Sequence, residues 1–177
     1  LGHYYWLILD GLTDPPASLT HEIAKYKGWG VTLNGIRKLK SDSFAELGAL
    51  RGLLVLNGLE EANPKETEAF SQTPGNLKKI SLNGLKRMSP LCADHLASKT
   101  SELELDGLTD MPVDLANALA IREKRESTLV KGITNLSLQS LRKIPYNSAV
   151  AFAAANKIFG FDAFRLNNLT ELDPATT

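Results

Sequence analysis

Seven polar residues recur one position after a short apolar segment, and their spacing could support a chemical role. They are Asp10, Asn34, Asn57, Asn83, Asp106, Gln139 and Asn167. A row of carboxylate and amide oxygens could hold a cation or a polar ligand. Asn and Asp side chains also hydrogen-bond readily to nearby backbone groups in turns. We therefore interpret these residues as a structural turn ladder that links neighbouring turns, and not as a ligand site.

Two acidic pairs lie in or beside this row, Asp10 with Asp14 and Asp106 with Asp110. A calcium loop needs more oxygen ligands at closer spacing, so these acids are predicted to belong to turns and helix starts. The histidines have no partner residues at the spacing of a metal site; they are His3, His21 and His95. The sequence predicts no metal site and no cofactor.

Cys92 is the one cysteine of the chain and its strongest candidate nucleophile. It lies near a predicted helix start, where the pKa of a thiol can fall. The sequence places no histidine beside it as a base, so we interpret it as a buried, inert cysteine. No nucleophile elbow, phosphate-binding loop, zinc-protease motif or dinucleotide fingerprint occurs. We predict no catalytic residues and no enzymatic activity.

The polar row belongs to a hexapeptide that recurs along the chain. Its pattern is apolar, any residue, Leu, Asn or Asp, Gly, and then Leu or Ile; the last two copies are degenerate. The copies start near residues 7, 31, 54, 80, 103, 136 and 164, at intervals of 23 to 33 residues. Such a period indicates an architecture of stacked units. We predict that residues 1–177 form a single solenoid domain of about seven units.

Each unit has the composition of a strand, a turn and a helix. The apolar-any-Leu segment buries alternate side chains of a short strand, and the Asn-Gly or Asp-Gly pair tolerates the positive φ of a sharp turn. Prolines suited to a first helical turn follow; they are Pro16, Pro64, Pro90, Pro112 and Pro145. Helical spacing predicts that the inward side chains are Ile23, Phe44, Leu47, Ala69, Phe70, Ala93, Leu96, Leu115, Ala118, Leu119, Val150 and Phe152.

The units resemble the leucine-rich repeat family, and most closely its irregular bacterial repeats. The segments Leu77–Leu82 and Ile133–Leu138 match the family's L-x-x-L-x-L core, and Phe161–Leu166 matches it with aromatic residues. The resemblance implies a right-handed α/β solenoid, a horseshoe or arc with a parallel sheet on one face and helices on the other. Leu85 and Leu108 stand where the family has a buried Asn or Cys. The Asn and Asp of the turn ladder are expected to take over that role.

If the strands line a concave face, alternate strand residues point outward from it. The candidate binding surface then consists of Trp6, Ile8, Thr32, Leu53, Val55, Lys79, Ser81, Glu102, Glu104, Asn135, Ser137 and Arg165. Its apolar members cluster at the N-terminal end, and Glu102 and Glu104 form an acidic patch in the middle. An apolar patch beside polar residues is typical of a protein-binding surface. The aromatic segment Gly2–Trp6 could alternatively cap the open end of the stack, which is the interpretation we favour.

Composition narrows the classes of partner. The chain has 20 basic and 20 acidic residues and a net charge of zero, so it lacks the overall basic charge that usually supports nucleic acid binding, and only a local basic patch stays open. It contains no apolar run long enough for a membrane span. The absence of a recognisable signal peptide slightly favours a cytoplasmic location, but the chain begins with Leu1, so a secreted or envelope location stays open. The sequence does not indicate an oligomeric state.

We therefore predict a non-catalytic scaffold that binds a protein or peptide on its concave sheet face. Two alternatives stay open, a recognition or regulatory segment of a larger enzyme and a structural spacer of a bacterial surface protein. The long fifth interval contains an insertion at residues 122–131, which the sequence does not assign to helix or loop.

Overall fold

The computed structural model describes residues 5–75, 77–120, 133–159 and 163–174. Gly2, His3, Tyr4 and the insertion at 122–131 lie outside the described residues. In chain order the elements are β1 Trp6–Ile8, α1 Ala17–Ala24, β2 Gly30–Thr32, α2 Ser41–Leu47, β3 Leu53–Val55, α3 Pro64–Gln72, β4 Leu77–Ser81, α4 Pro90–Ala97, β5 Thr100–Glu104, α5 Val113–Ala120, β6 Asn135–Ser137, β7 Lys143–Pro145, α6 Tyr146–Phe159, β8 Ala163–Arg165 and β9 Glu171–Asp173. Strands and helices thus alternate through most of the chain.

Seven strands form one parallel sheet, in the order β1-β2-β3-β4-β5-β6-β8. The register is uniform, because the middle residue of each strand's paired stretch lies beside the middle residue of the next. These middle residues are Leu7, Val31, Leu54, Ile80, Leu103, Leu136 and Phe164. Over the described residues, β1 and β8 remain the two sheet edges, and the sheet does not close into a barrel. The predicted α/β class with a parallel sheet is confirmed.

Helices pack on one side of this sheet, each against the next helix in the chain. The core takes the middle residue of each inner strand together with apolar helix residues, and Phe44 of α2 stacks on Phe70 of α3 at 4.6 Å between ring centroids. Most of the predicted inward helix residues are buried. Two are not: Val150 has 46% of its surface exposed, and Ala69 is half-buried. The prediction of the inward face of α6 is therefore wrong at Val150.

A second, two-stranded parallel sheet pairs β7 with β9. The sequence did not predict it. Thr170 N–H and Glu171 N–H both donate to the carbonyl of Arg142. Earlier units make a single bond at the equivalent place, such as Glu60 N–H to the carbonyl of Arg37. Neighbouring units thus contact each other at this place, through one hydrogen bond in some earlier units and through the small sheet in the last two.

The short segment that follows the turn in each unit carries charged residues, and their sign alternates from one unit to the next. Acidic residues occupy the odd units and basic residues the even ones, in the order Asp14, Arg37 and Lys38, Glu60 and Glu61, Lys86 and Arg87, Asp110, Arg142 and Lys143, Glu171. Ion pairs join neighbours across the units, namely Asp14–Lys40, Arg37–Glu60, Lys38–Glu61 and Lys143–Asp173. Each unit thus presents to its neighbours a charge opposite to theirs.

Candidate functional site

The turn ladder is a chain of hydrogen bonds that runs from turn to turn. In each step a side-chain oxygen of one ladder residue accepts from the backbone N–H of the next. The donor–acceptor distances are 2.9 Å from Asn34 to Asp10, 3.0 Å from Asn57 to Asn34, 3.0 Å from Asn83 to Asn57, 2.9 Å from Asp106 to Asn83 and 3.0 Å from Gln139 to Asp106. These oxygens satisfy turn N–H groups and are therefore engaged within the fold.

The last step of the ladder differs. The side chain of Gln139 donates to Ser137 Oγ at 3.3 Å, and Asn168 Nδ2 donates to the backbone carbonyl of Gln139 at 2.8 Å. Asn167, the seventh predicted ladder residue, is exposed and makes no such bond within the described residues. This unit also differs in sequence. Gln139 has a longer side chain than Asn or Asp, and Ser140 follows it where earlier units have Gly.

Three hydroxyl groups of the sheet join the ladder. Thr32 Oγ1 donates to Asp10, Ser81 Oγ to Asn57 at 2.8 Å, and Ser137 Oγ to Asp106 at 2.6 Å. Ser81 and Ser137 are only 2% and 4% exposed. These two serines were predicted to belong to the binding surface, but their hydroxyls are buried and engaged. They position the ladder and have almost no surface for a partner.

The ladder glycines allow close packing of successive turns. A Cβ placed on Gly58 would lie 1.9 Å from the carbonyl oxygen of Asn34, and one on Gly107 would lie 2.0 Å from that of Asn83. None of these glycines has a positive φ, and the one described glycine that does is Gly52, at 132°. The ladder glycines therefore do not use the positive φ that they could tolerate. From the second unit to the fifth, the turn needs the missing side chain of its glycine and not an unusual backbone angle.

Asp10 begins the ladder and carries a charge where Asn34, Asn57 and Asn83 do not. The backbone N–H of Asn34 donates to its carboxylate, which lowers the pKa of Asp10 below its usual value, and the hydroxyl of Thr32 adds to the effect. Desolvation opposes the shift. Asp10 is therefore ionised in the folded protein at neutral pH and acts as a charged hydrogen-bond acceptor.

The predicted binding residues share the face of the sheet opposite the helices, here called the outer sheet face. Two register rows run across all seven strands. One row is Trp6, Gly30, Leu53, Lys79, Glu102, Asn135 and Ala163. The other is Ile8, Thr32, Val55, Ser81, Glu104, Ser137 and Arg165. The structure therefore places all twelve predicted residues in these two rows, and all but the buried Ser81 and Ser137 have exposed or half-buried side chains.

The N-terminal end of the outer sheet face is apolar. Ile8 is 66% exposed and Trp6 40% exposed. The Trp6 ring lies across β2, since a Cβ on Gly30 would come within 2.7 Å of it. Trp29 lies beside Trp6 at 6.3 Å between ring centroids and is also exposed. Sequence reasoning missed Trp29, although its position next to the strand residue Gly30 was a usable signal.

The opposite end of the face holds a polar depression of about 210 Å³. Its charged and amide lining residues are Lys79, Glu102, Glu104, Asn135 and Arg165. Lys79 Nζ and the Glu104 carboxylate are 2.5 Å apart and neutralise each other. Glu102 and Arg165 form no ion pair with any residue that the structure describes. The depression therefore presents one uncommitted negative and one uncommitted positive charge.

The reactive side chains elsewhere are dispersed. Cys92 is buried, and its Sγ lies 3.5 Å from the carbonyl of Ala62. His21 Nδ1 contacts the Glu46 carboxylate at 2.7 Å, and His95 contacts the hydroxyl of Thr67 at 3.0 Å. Among the described residues no three His, Cys, Asp or Glu side chains are grouped closely enough to hold a metal ion.

Comparison with family models, curated proteins and solved structures finds no match to this chain. Within the described residues, no helix has both the length and the apolar character needed to cross a membrane.

Proposed function

We propose that this chain is a leucine-rich-repeat-like right-handed solenoid that binds a protein or peptide partner on its outer sheet face and catalyses no reaction. The sequential order of the parallel strands supports the solenoid, as does the packing of each helix on the next. In such a stack the shared interior is structural, and the open face of the sheet is available for recognition.

The outer sheet face carries the proposal because it combines exposed apolar side chains with uncommitted charges. Ile8 and Trp6 supply the apolar area, and Glu102 and Arg165 supply the charges. Apolar anchors supply much of the energy of protein interfaces, while polar groups around them give specificity.

A capture experiment tests this proposal. The purified chain is immobilised and exposed to a lysate of the source organism, and a retained protein is then purified and titrated against the chain by calorimetry. We expect Ile8→Lys and Val55→Lys to weaken binding at least tenfold, because each places a charge in the apolar area. Leu91→Lys is the matched control, since Leu91 is an exposed leucine on α4 of the helix layer.

The proposal is wrong if the titrated protein binds both sheet variants as tightly as the wild type and loses affinity for Leu91→Lys. Circular dichroism of each variant establishes that the fold is retained. Turnover of any substrate by the purified chain would contradict the non-catalytic part.

A further inference from the structure

The outer sheet face carries two charged groups that form no ion pair with any residue that the structure describes. They are the carboxylate of Glu102 on β5 and the guanidinium of Arg165 on β8. Beside Glu102, Lys79 of β4 and Glu104 of β5 form an ion pair with each other at 2.5 Å. Charged groups left open on a binding face are matched by opposite charges on the partner. Glu102 thus favours a cation, and Arg165 favours an anion.

The positions of these charges relative to the apolar end follow from the register. Trp6 and Glu102 occupy one row and are separated by four strand steps, from β1 to β5. Strands in a sheet lie about 4.8 Å apart, which places the two side chains about 19 Å apart. Arg165 lies two further steps away, across β6 and β8, which adds about 10 Å. The face therefore has three parts in a fixed order.

The two carboxylates that line the depression, those of Glu102 and Glu104, disfavour a polyanion as the binding partner. The side chain of Glu104 is 24% exposed, although Lys79 neutralises it, and Glu102 is half-buried. A nucleic acid crossing the sheet would bring its phosphates against the like-charged carboxylate of Glu102, and Arg165 is the one cation lining the depression that is unpaired among the described residues. A polypeptide can instead present apolar, cationic and anionic side chains within one short segment.

We infer, on the basis of the proposed function, that the partner is a polypeptide segment whose side chains run in the order apolar, basic, acidic. The apolar side chain contacts Trp6 and Ile8, a Lys or Arg pairs with Glu102, and an Asp or Glu pairs with Arg165. In an extended segment, which advances about 3.3 Å per residue, the first two anchors are about six residues apart and the last two about three. In a helix these separations are about thirteen and six residues.

A random peptide library tests this inference without knowledge of the natural partner. The probe is a phage-displayed library of segments of about 20 residues, which is long enough for either spacing. It is selected against the folded wild-type chain, and the enriched peptides are synthesised. We expect the enriched peptides to share the order apolar, basic, acidic. Their Kd should rise about tenfold in Glu102→Gln and in Arg165→Gln, because each change removes one partner of an interface ion pair.

Glu68→Gln is the matched control, because Glu68 is an exposed acid on α3 in the helix layer. This change should leave the Kd within twofold. The losses in Glu102→Gln and Arg165→Gln should also shrink as salt is raised, since screening weakens an ion pair.

Three results would overturn the inference, and they separate it from the proposed function. If the peptides bind the outer sheet face, as shown by loss of binding in Ile8→Lys, but lack a shared basic residue, the charge pattern is wrong and the binding face stands. The same conclusion follows if Glu102→Gln leaves the Kd unchanged. If no peptide is enriched, or if the enriched peptides are insensitive to Ile8→Lys and Val55→Lys, both proposals fail.

Discussion

Gly11 and Gly58 occupy the same place in two copies of the turn, but their surroundings differ. Gly58 packs against the carbonyl oxygen of Asn34 in the preceding turn, whereas Gly11 has no atom near the position of a Cβ. Gly11 lies in the first described turn and has no preceding described turn to contact. At the residue scale, the ladder therefore consists of side-chain oxygens that accept turn N–H groups and glycines that let the turns approach.

We predict that Gly58→Ala lowers the free energy of unfolding by about 1–3 kcal/mol, because a methyl group 1.9 Å from the Asn34 carbonyl forces the turns apart. Gly11→Ala is the matched control and should change stability by less than about 0.5 kcal/mol, as for a surface substitution. Urea unfolding followed by circular dichroism measures both. Equal effects of the two substitutions would contradict the close-packing role.

The charge of Asp10 gives the ladder a pH dependence. Its pKa in the folded state lies below the ordinary value of 3.8, chiefly because the backbone N–H of Asn34 donates to it. A carboxylate with a lowered folded pKa contributes stability that is present above the unfolded pKa and is lost as pH falls through the folded pKa. Asp10→Asn keeps a side-chain acceptor but removes the charge.

We therefore predict that the difference in unfolding free energy between the wild type and Asp10→Asn shifts in favour of the variant as pH falls from about 6 to about 2. Urea unfolding at several pH values in this range measures it. A difference that stays constant with pH would show that the Asp10 carboxylate makes no favourable contact in the folded state.

At the scale of elements, the segment after each turn holds neighbouring units together through opposite charges. Lys38 pairs with Glu61 at 2.9 Å, and Arg37 pairs with Glu60. These pairs are exposed, so each contributes little alone. Their alternation still means that every junction in this row joins unlike units. A unit placed beside another of its own kind would bring like charges together.

A charge swap tests this complementarity. Lys38→Glu puts a third acid beside Glu60 and Glu61, and we predict a small fall in the midpoint of thermal unfolding because like charges repel. Lys38→Glu combined with Glu61→Lys restores an opposite pair and should recover part of that loss. Scanning calorimetry at low and at high salt measures both variants, and the difference should largely vanish at high salt. A loss that salt does not reduce would point to packing and not to charge.

At the scale of the whole molecule, contacts join each unit mainly to its two neighbours. Core residues of the central strands, such as Leu54 and Ile80, are at most 1% exposed. Leu7 of β1 and Phe164 of β8 are only partly buried, because each lies in an edge strand. Stability in a stack of this kind is a sum over units and junctions, and an end unit has one junction fewer.

Hydrogen exchange should therefore follow position in the stack. We predict the slowest amide exchange in β3, β4 and β5 and progressively faster exchange towards β1 and β8, because local opening is easier where fewer junctions hold a strand. Mass spectrometry of peptides after exchange measures the gradient. Uniform protection across all seven strands would instead indicate a single cooperative unit.

The sequence alone determined the features that arise within one unit. The apolar-any-Leu segments form strands, and the polar residues that follow them, from Asp10 in the first unit to Gln139 in the sixth, form the turn ladder. Both features could be predicted because alternate burial and turn formation depend on a few neighbouring residues. The parallel pairing of Leu54 with Val31 and Ile80 followed from recurrence, since identical segments stack in the same register. The candidate surface followed as well, because side chains alternate along any strand.

Tertiary structure decided what depends on contacts between units. Burial of Ser81 arises because its hydroxyl reaches Asn57, 24 residues earlier in the chain. The need for Gly58 arises from the carbonyl of Asn34 in the adjacent turn. Lys79 pairs with Glu104 and not with Glu102, and only the packing of β4 against β5 determines which of the two carboxylates it contacts. A local pattern specifies which residues form a strand or a turn, but only the packing of one unit on the next decides which atoms remain free to bind.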